Sequence, residues 1–557
     1  CEQRFCNLEA ISLGHEPLAQ KSGNSHHPKD SDETPTDGDA SKVTGRVAVL
    51  SVKEQEKFYS EVEEKEPVLH QALTEYIEKE GVGYEPKIAS KILTDSAPFL
   101  SEFVATMFGV NKEREELERE ILKDNPIWRY KFFVQRRAIR TYKEDKLSDF
   151  KESELAEAIR ELKNGEFAEV LIHDEELAIA SIVAELIEAE ETLTKDLEIT
   201  TEIQETLNKI HNAYDKLKDS KFGDVFSRFV TEIESTGELL QVKAVLQIFE
   251  IWSAFQFHKK EKEWYSFKTP HPLDYQNLVH ITRDNPDIAE ALRGPDELMR
   301  RRDGFGLTDD RGTMRDALNE IDYCLICHER GKDSCSTGLH ERDGGVKKNP
   351  LNIETAGCPL DEKISEMHML KGQGDPIGSL ALVTIDNPMC AGTGHRICND
   401  CMKGCIFQKQ EPVNIPLAET ASLTDVLDLP YGFEIYSLLT RWNPLNAARP
   451  YALPYNGKNV LVVGLGPAGY TLAHYLLNEG FGVIGFDGLK IEPLNEVWTG
   501  KNGNTCPKAV KDVSDIKDEL DQRILSGFGG VSEYGITVRW DKNFLTIRHI
   551  CSPSYYA

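Results

Sequence analysis

Between residues 46 and 320, apolar side chains recur at intervals of three and four. Ile179, Ile182, Val183, Leu186 and Ile187 are representative. That spacing gathers them on one stripe of a 3.6-residue helix and leaves Glu and Lys on the remaining faces. The segments VNKEREELEREILK and ELAIASIVAELIEAEETLTKDLEITTEIQETLNKIHNAYDKLKD continue the pattern, and strand-like alternation is rare. The spacing predicts an acidic helical domain over 46–320, its charge runs forming solvated faces. WRYKFFVQRRAIR, Trp128 to Arg140, fits the same scheme as an amphipathic helix with a solvated basic face. Residues 1–45 are different. The run KSGNSHHPKDSDETPTDGDASK within them is almost free of apolar residues, which predicts a disordered tail or linker.

From Lys458 the pattern changes again. Asn459 to Val463 is a short apolar strand, Tyr470 to Asn478 has helical periodicity, and FGVIGF is a second strand ending at Asp487. Between the first strand and the helix stand Gly464, Gly466, Pro467, Ala468 and Gly469, a G-x-G-x-x-G turn. Each glycine has a physical task. Gly464 permits the tight turn out of the strand. Gly466 lets the backbone approach a pyrophosphate, and Gly469 lets the helix pack close to the strand. The helix N-terminus offers free N–H groups and partial positive charge to the phosphates. Asp487, 18 residues beyond Gly469, stands where an acid would accept from ribose hydroxyls. Strand, helix and acid agree, so 458–557 is expected to hold a dinucleotide site at the start of an α/β Rossmann-like domain. Residues 431–457 read as a connector, where RWNPLNAARPYALPYNGK ends the preceding helix with its prolines.

Composition sharpens this outline. A chain of 557 residues with 40% hydrophobic and 29% charged residues can bury a core and divide into several domains. A net charge of −29 argues against nucleic acid or an anionic membrane as principal partner. No segment is apolar for long enough to span a membrane. Eight of the twelve cysteines fall between Cys324 and Cys405. In a large acidic chain, one cysteine-dense window reads as metal-binding or catalytic rather than as a disulfide scaffold, and a cytoplasmic setting is expected.

The cysteines are Cys324, Cys327, Cys335, Cys358, Cys390, Cys398, Cys401 and Cys405. Thiolates are soft ligands that select zinc, copper(I) or iron–sulfur clusters, and eight suggest two sites over 321–430. Spacing alone leaves zinc and iron both open, since Cys324/Cys327 and Cys398/Cys401 would also make a pair of zinc knuckles. Cys358-Pro359 and the nucleotide turn about 60 residues downstream lean toward iron. His328, His340 and His395 are nearby substitutes.

The order of cysteine window, connector and VLVVGLGPAG resembles the small subunit of bacterial glutamate synthase and the N-terminal half of dihydropyrimidine dehydrogenase. The GPAG form is similar to FAD sites, and PVNI (Pro412 to Ile415) and RILSGFGGVSEYGITVRWDKNF (Arg523 to Phe544) also look like this group. The resemblance covers about residues 321 to 545. It implies a helical domain carrying two [4Fe–4S] clusters, then FAD and NAD(P)H domains, with the NAD(P)H site absent and the chain a fragment. By resemblance, Cys324, Cys327, Cys335 and Cys405 would hold one cluster. Cys358, Cys398 and Cys401 would hold the other, with Glu419 or Cys390 as its fourth ligand. Gly464, Gly466, Pro467, Ala468, Gly469 and Asp487 would bind FAD. The implied activity is NAD(P)H-dependent FAD/iron–sulfur electron transfer to a partner domain or subunit. The alternative is a non-catalytic, zinc-stabilised interaction module fused to an incomplete nucleotide fold. Two gaps depart from the pattern: seven residues separate Cys327 from Cys335, and 22 separate Cys335 from Cys358.

Overall fold

The computed structural model describes residues 52–486, apart from 169–172, 221–222, 271, 279, 297–311, 331 and 395–397. The 1–45 segment, His395, Asp487 and everything beyond it therefore lie outside the described residues. What is described is mostly helical. No helix among these residues is long and apolar enough to cross a membrane.

Compactness groups the chain into two units. Of the described residues, those within 122–270 form one, and those within 52–121 and 272–486 form the other. These limits differ from the single 46–320 domain expected from periodicity, because period alone does not say which helices share a core.

The second unit opens with α1 (Val52–Lys65), α2 (Pro67–Glu78), α3 (Pro86–Phe108) and α4 (Asn111–Leu122). Residues 122–271 then contribute α5 (Asn125–Phe133), a π-helical turn (Val134–Ala138), α6 (Ile139–Thr141), α7 (Glu144–Leu147), α8 (Glu152–Asn164), α9 (Glu175–Thr194), α10 (Thr201–Asp219), α11 (Gly223–Glu232) and α12 (Gly237–Lys259). The starts of α9 and α10 are legible in chemistry. Asp174 accepts from the Leu177 N–H at 3.1 Å, and Thr200 accepts from the Ile203 N–H at 3.3 Å. Ile179, Ile182, Val183 and Leu186 all enter the core of this unit, as their spacing predicts. The basic face around Arg136 and Arg137 is not simply solvated. Arg137 reaches Glu190 at 2.7 Å and Glu250 at 2.8 Å, and Arg136 lies over the ring of Phe132. Tertiary pairing claims Arg137, which a one-dimensional period does not register, while the Arg136 contact is local to its own helical stretch.

The remaining elements are β1 (Thr282–Arg283) paired antiparallel with β2 (Leu292–Arg293), then α13 (Met314–Tyr323), α14 (Ser334–Thr337), α15 (Ile364–Gly372), α16 (Pro376–Asp386), α17 (Cys390–Thr393), α18 (Asp400–Gly404), α19 (Ile415–Asp428) and α20 (Gly432–Leu439). A single βαβ unit follows: β3 (Asn459–Val463), α21 (Pro467–Asn478) and β4 (Gly482–Phe486), with β3 and β4 parallel and Asn459 opposite Gly482. Its small core is Val462, Leu465, Ala473, Leu477 and Val483. The other side of β3 carries Leu461 and Val463, both exposed. Among the described residues these two strands are the whole of the expected parallel sheet.

Two buried contacts organise the cysteine-bearing helices. Lys371 of α15 contacts Asp425 of α19, and both are withdrawn from solvent. Burial draws the Lys371 pKa down. Ser379 of α16 is hydrogen-bonded to Ser422 of α19 at 2.9 Å.

Candidate metal and nucleotide centres

Helix α13 ends in a way that delivers the first cysteine. It begins in a capping box, with the Thr313 hydroxyl accepting from the Asp316 N–H at 3.1 Å and the Thr313 N–H donating to Asp316 at 2.8 Å. At Cys324 the backbone turns extended, and Ile326 adopts φ +47°. A β-branched residue in that region is strained, and such strain concentrates at functional turns. The twist aims the Ile326 N–H at the Cys324 sulfur, 3.4 Å away.

Backbone N–H groups also face sulfur and lower the thiol's pKa at Cys358 (Glu362 and Leu360), at Cys398 (Asp400) and at Cys405 (Phe407 and Val413). A backbone N–H directed at sulfur favours the thiolate over the thiol.

Side chains gather into two groups. In the first, Cys324, Cys327, Cys335 and Cys405 are within electrostatic reach of one another, with Asp333 beside them. Burial pushes the Cys324 thiol up to about 12 and Cys335 well above its usual value; the neighbouring thiols and Asp333 add to the shift. Asp333 itself rises to about 6 through burial, and the Cys335 thiol donates to it at 3.7 Å. In the second group, Cys358, Cys390 and Cys401 lie with Glu419 and Glu362. Burial raises all five; Cys358 reaches about 12 and Glu362 about 7. Asn387 donates to Glu419 at 2.8 Å. The charged neighbours that raise these cysteines further are acids and other thiols, while Lys363 lowers Asp333 and Glu362 beside them.

Glycine backbones bring the cysteines together. A Cβ on Gly404 would come within 2.5 Å of the Ser334 carbonyl and 2.9 Å of Gly357 Cα. One on Gly357 would come within 2.5 Å of the Gly338 nitrogen. The segments bearing Cys335, Cys358 and Cys405 therefore touch backbone to backbone, and the Cys358 N–H donates to the Cys335 carbonyl at 2.8 Å.

Cys398 stands apart from both groups. It is exposed, and its charged neighbours are Asp400 and Lys403. Cys390 and Glu419 are both brought in. Glu362 and Asp333 were not singled out by sequence; each lies within four residues of a cysteine, which is the one signal that points to them. His328 is buried with Nδ1 unpartnered, while His340 is bonded to the Thr337 and Gly344 carbonyls. None of the eight cysteines is in a disulfide. As they stand, no three His, Cys, Asp or Glu side chains among the described residues converge tightly enough to grip a metal ion.

The nucleotide turn has the expected local form. Gly464 takes φ +92°, which suits glycine alone. Among the described residues, a Cβ on Gly466, just before α21, would meet nothing within 4 Å. A Cβ on Gly469 would overlap the Gly464 carbonyl oxygen. Asp487 falls outside the described residues.

Two proteins of Rickettsia prowazekii are similar to this chain. RP006, described as uncharacterized, is 56% identical over 159 residues, 28% of this chain and 21% of its own length. RP005, described likewise, is 28% identical over 297 residues, 52% of this chain and 82% of its own length. The chain thus spans about a fifth of the first relative. No model of a known protein family matches the chain, and no solved structure does.

Proposed function

We propose that this chain is the FAD- and iron–sulfur-binding part of an NAD(P)H-dependent oxidoreductase of the glutamate-synthase small-subunit type. The supporting observation is the gathering of Cys324, Cys327, Cys335 and Cys405 into one buried group and of Cys358, Cys390 and Cys401 with Glu419 into another, with the Ile326 N–H donating to the Cys324 sulfur. Cys324, Cys327, Cys335 and Cys405 would hold one [4Fe–4S] cluster. Cys358, Cys390 and Cys401, with Glu419, would hold the other. Gly464, Gly466, Pro467, Ala468 and Gly469 would cradle the FAD pyrophosphate. When bound, these groups supply hydride acceptance and one-electron transfer. The chain's own part is to desolvate the sulfurs, direct backbone N–H groups at them, and present the α21 N-terminus to phosphate. The partner would be an electron-accepting domain or subunit.

Anaerobic purification of the 557-residue chain tests this. Brown protein with iron, acid-labile sulfide and flavin released on denaturation is the expected result. Colourless protein with stoichiometric zinc would replace it with the zinc-stabilised interaction module.

A further inference from the structure

Tyr470 immediately follows the last glycine of the nucleotide turn, and it is 1% exposed. Its hydroxyl donates to the Gly392 carbonyl at 2.7 Å. Gly392 lies two residues beyond Cys390, and a Cβ there would overlap that hydroxyl and approach ring carbon Cζ to 2.8 Å. Only glycine leaves room for this contact. From the other direction, the Tyr436 hydroxyl receives the Ala391 N–H at 3.4 Å and the Cys390 thiol at 3.6 Å. The short helix α17 is therefore held between two tyrosines. A second tie from α21 joins the Tyr475 hydroxyl to the Asp386 carbonyl at 3.4 Å.

A buried tyrosine bonded to a carbonyl is common core architecture, and burial alone would carry nothing. Three things single out Tyr470: its place directly after Gly469, its contact on the turn bearing Cys390, and a glycine shaped to receive it. The geometry points to Tyr470 as a positioning residue that ties the dinucleotide-binding turn to the Cys390 pocket, so that a dinucleotide pyrophosphate on the turn stiffens the pocket. The inference rests on the dinucleotide reading of the turn. By linkage, whatever the turn does to the pocket, the pocket does to the turn.

Hydrogen–deuterium exchange of the full 557-residue chain with and without FAD tests it in any state of metal loading. The amides of Cys390, Gly392, Thr393 and Gly394 donate to Asn387, Met389 and Cys390 carbonyls, and they are the reporters. In the wild type, FAD is expected to slow exchange in both 464–470 and 389–394. Tyr470→Phe keeps the ring and the protection at 464–470, but loses ~5-fold or more of the FAD-dependent protection at 389–394. Gly392→Ala displaces the hydroxyl from the opposite side and should give the same loss. A structural role alone would speed exchange equally with and without FAD. Undiminished protection at 389–394 in both variants overturns the link and leaves the nucleotide reading standing, as does wild-type protection confined to 464–470. No FAD-dependent protection at 464–470 in the wild type overturns the nucleotide reading, and the link with it.

Discussion

Gly466 and Gly469 are three residues apart and answer to different constraints. A methyl on Gly469 would overlap the Gly464 carbonyl, whereas one on Gly466 would project into open space. Gly469→Ala should therefore lower stability by about 1–3 kcal/mol in a denaturant melt. Gly466→Ala should leave the melt within ~0.5 kcal/mol and, on the proposed function, abolish flavin retention, because the methyl would occupy the ligand's approach. Equal melts for the two would refute this division of labour. Glu434 gives a second residue-scale prediction. It is buried, its Oε2 has no partner, and burial raises its pKa from 4.5 to about 7. Below pH 4.5 folded and unfolded states are both protonated. Between 4.5 and 7 the unfolded carboxyl ionises while the folded one resists, so stability falls across that window and levels off above it. Glu434→Gln should flatten this slope and stabilise the chain at pH 8 by on the order of 2 kcal/mol, with little change at pH 4. At this scale the sequence was legible wherever the signal is local. Glycine spacing and the cysteine window read directly. Glu362 and Asp333 did not, because nothing in a sequence marks an acid as buried until distant segments close over it.

At the scale of elements, α15 and α19 meet through Lys371 and Asp425, a pair with side chains 0% and 3% exposed. Such a pair contributes little net stability, but removing one partner strands the other. Lys371→Met alone should cost roughly 3–5 kcal/mol in thermal or denaturant unfolding. Lys371→Met with Asp425→Leu should recover most of that loss. A double variant as unstable as the single one would show that the pair does more than neutralise itself. The βαβ unit and most helices were readable because their periods and caps are contained within a few turns of chain. The π-helical turn at Val134–Ala138 and the division at 121/122 and 271/272 were not readable, since both depend on which distant side chains pack together.

At the scale of the molecule, the backbone contact among Gly338, Gly357 and Gly404 has a consequence for upkeep. Small metal domains commonly fold only around their ion, so losing it means unfolding. Here the segments bearing Cys335, Cys358 and Cys405 are pressed together by their own main chains, and neighbouring helices bury a core that owes nothing to a ligand. Stripping the chain with chelator should therefore leave its far-UV circular dichroism unchanged, and iron and sulfide added back should restore the brown chromophore. Collapse of the helical signal on chelation would be the contrary result. On the proposed function, a centre built this way would be a socket rather than a keystone: damage by oxygen would remove the contents and spare the container, and repair would become a matter of refilling.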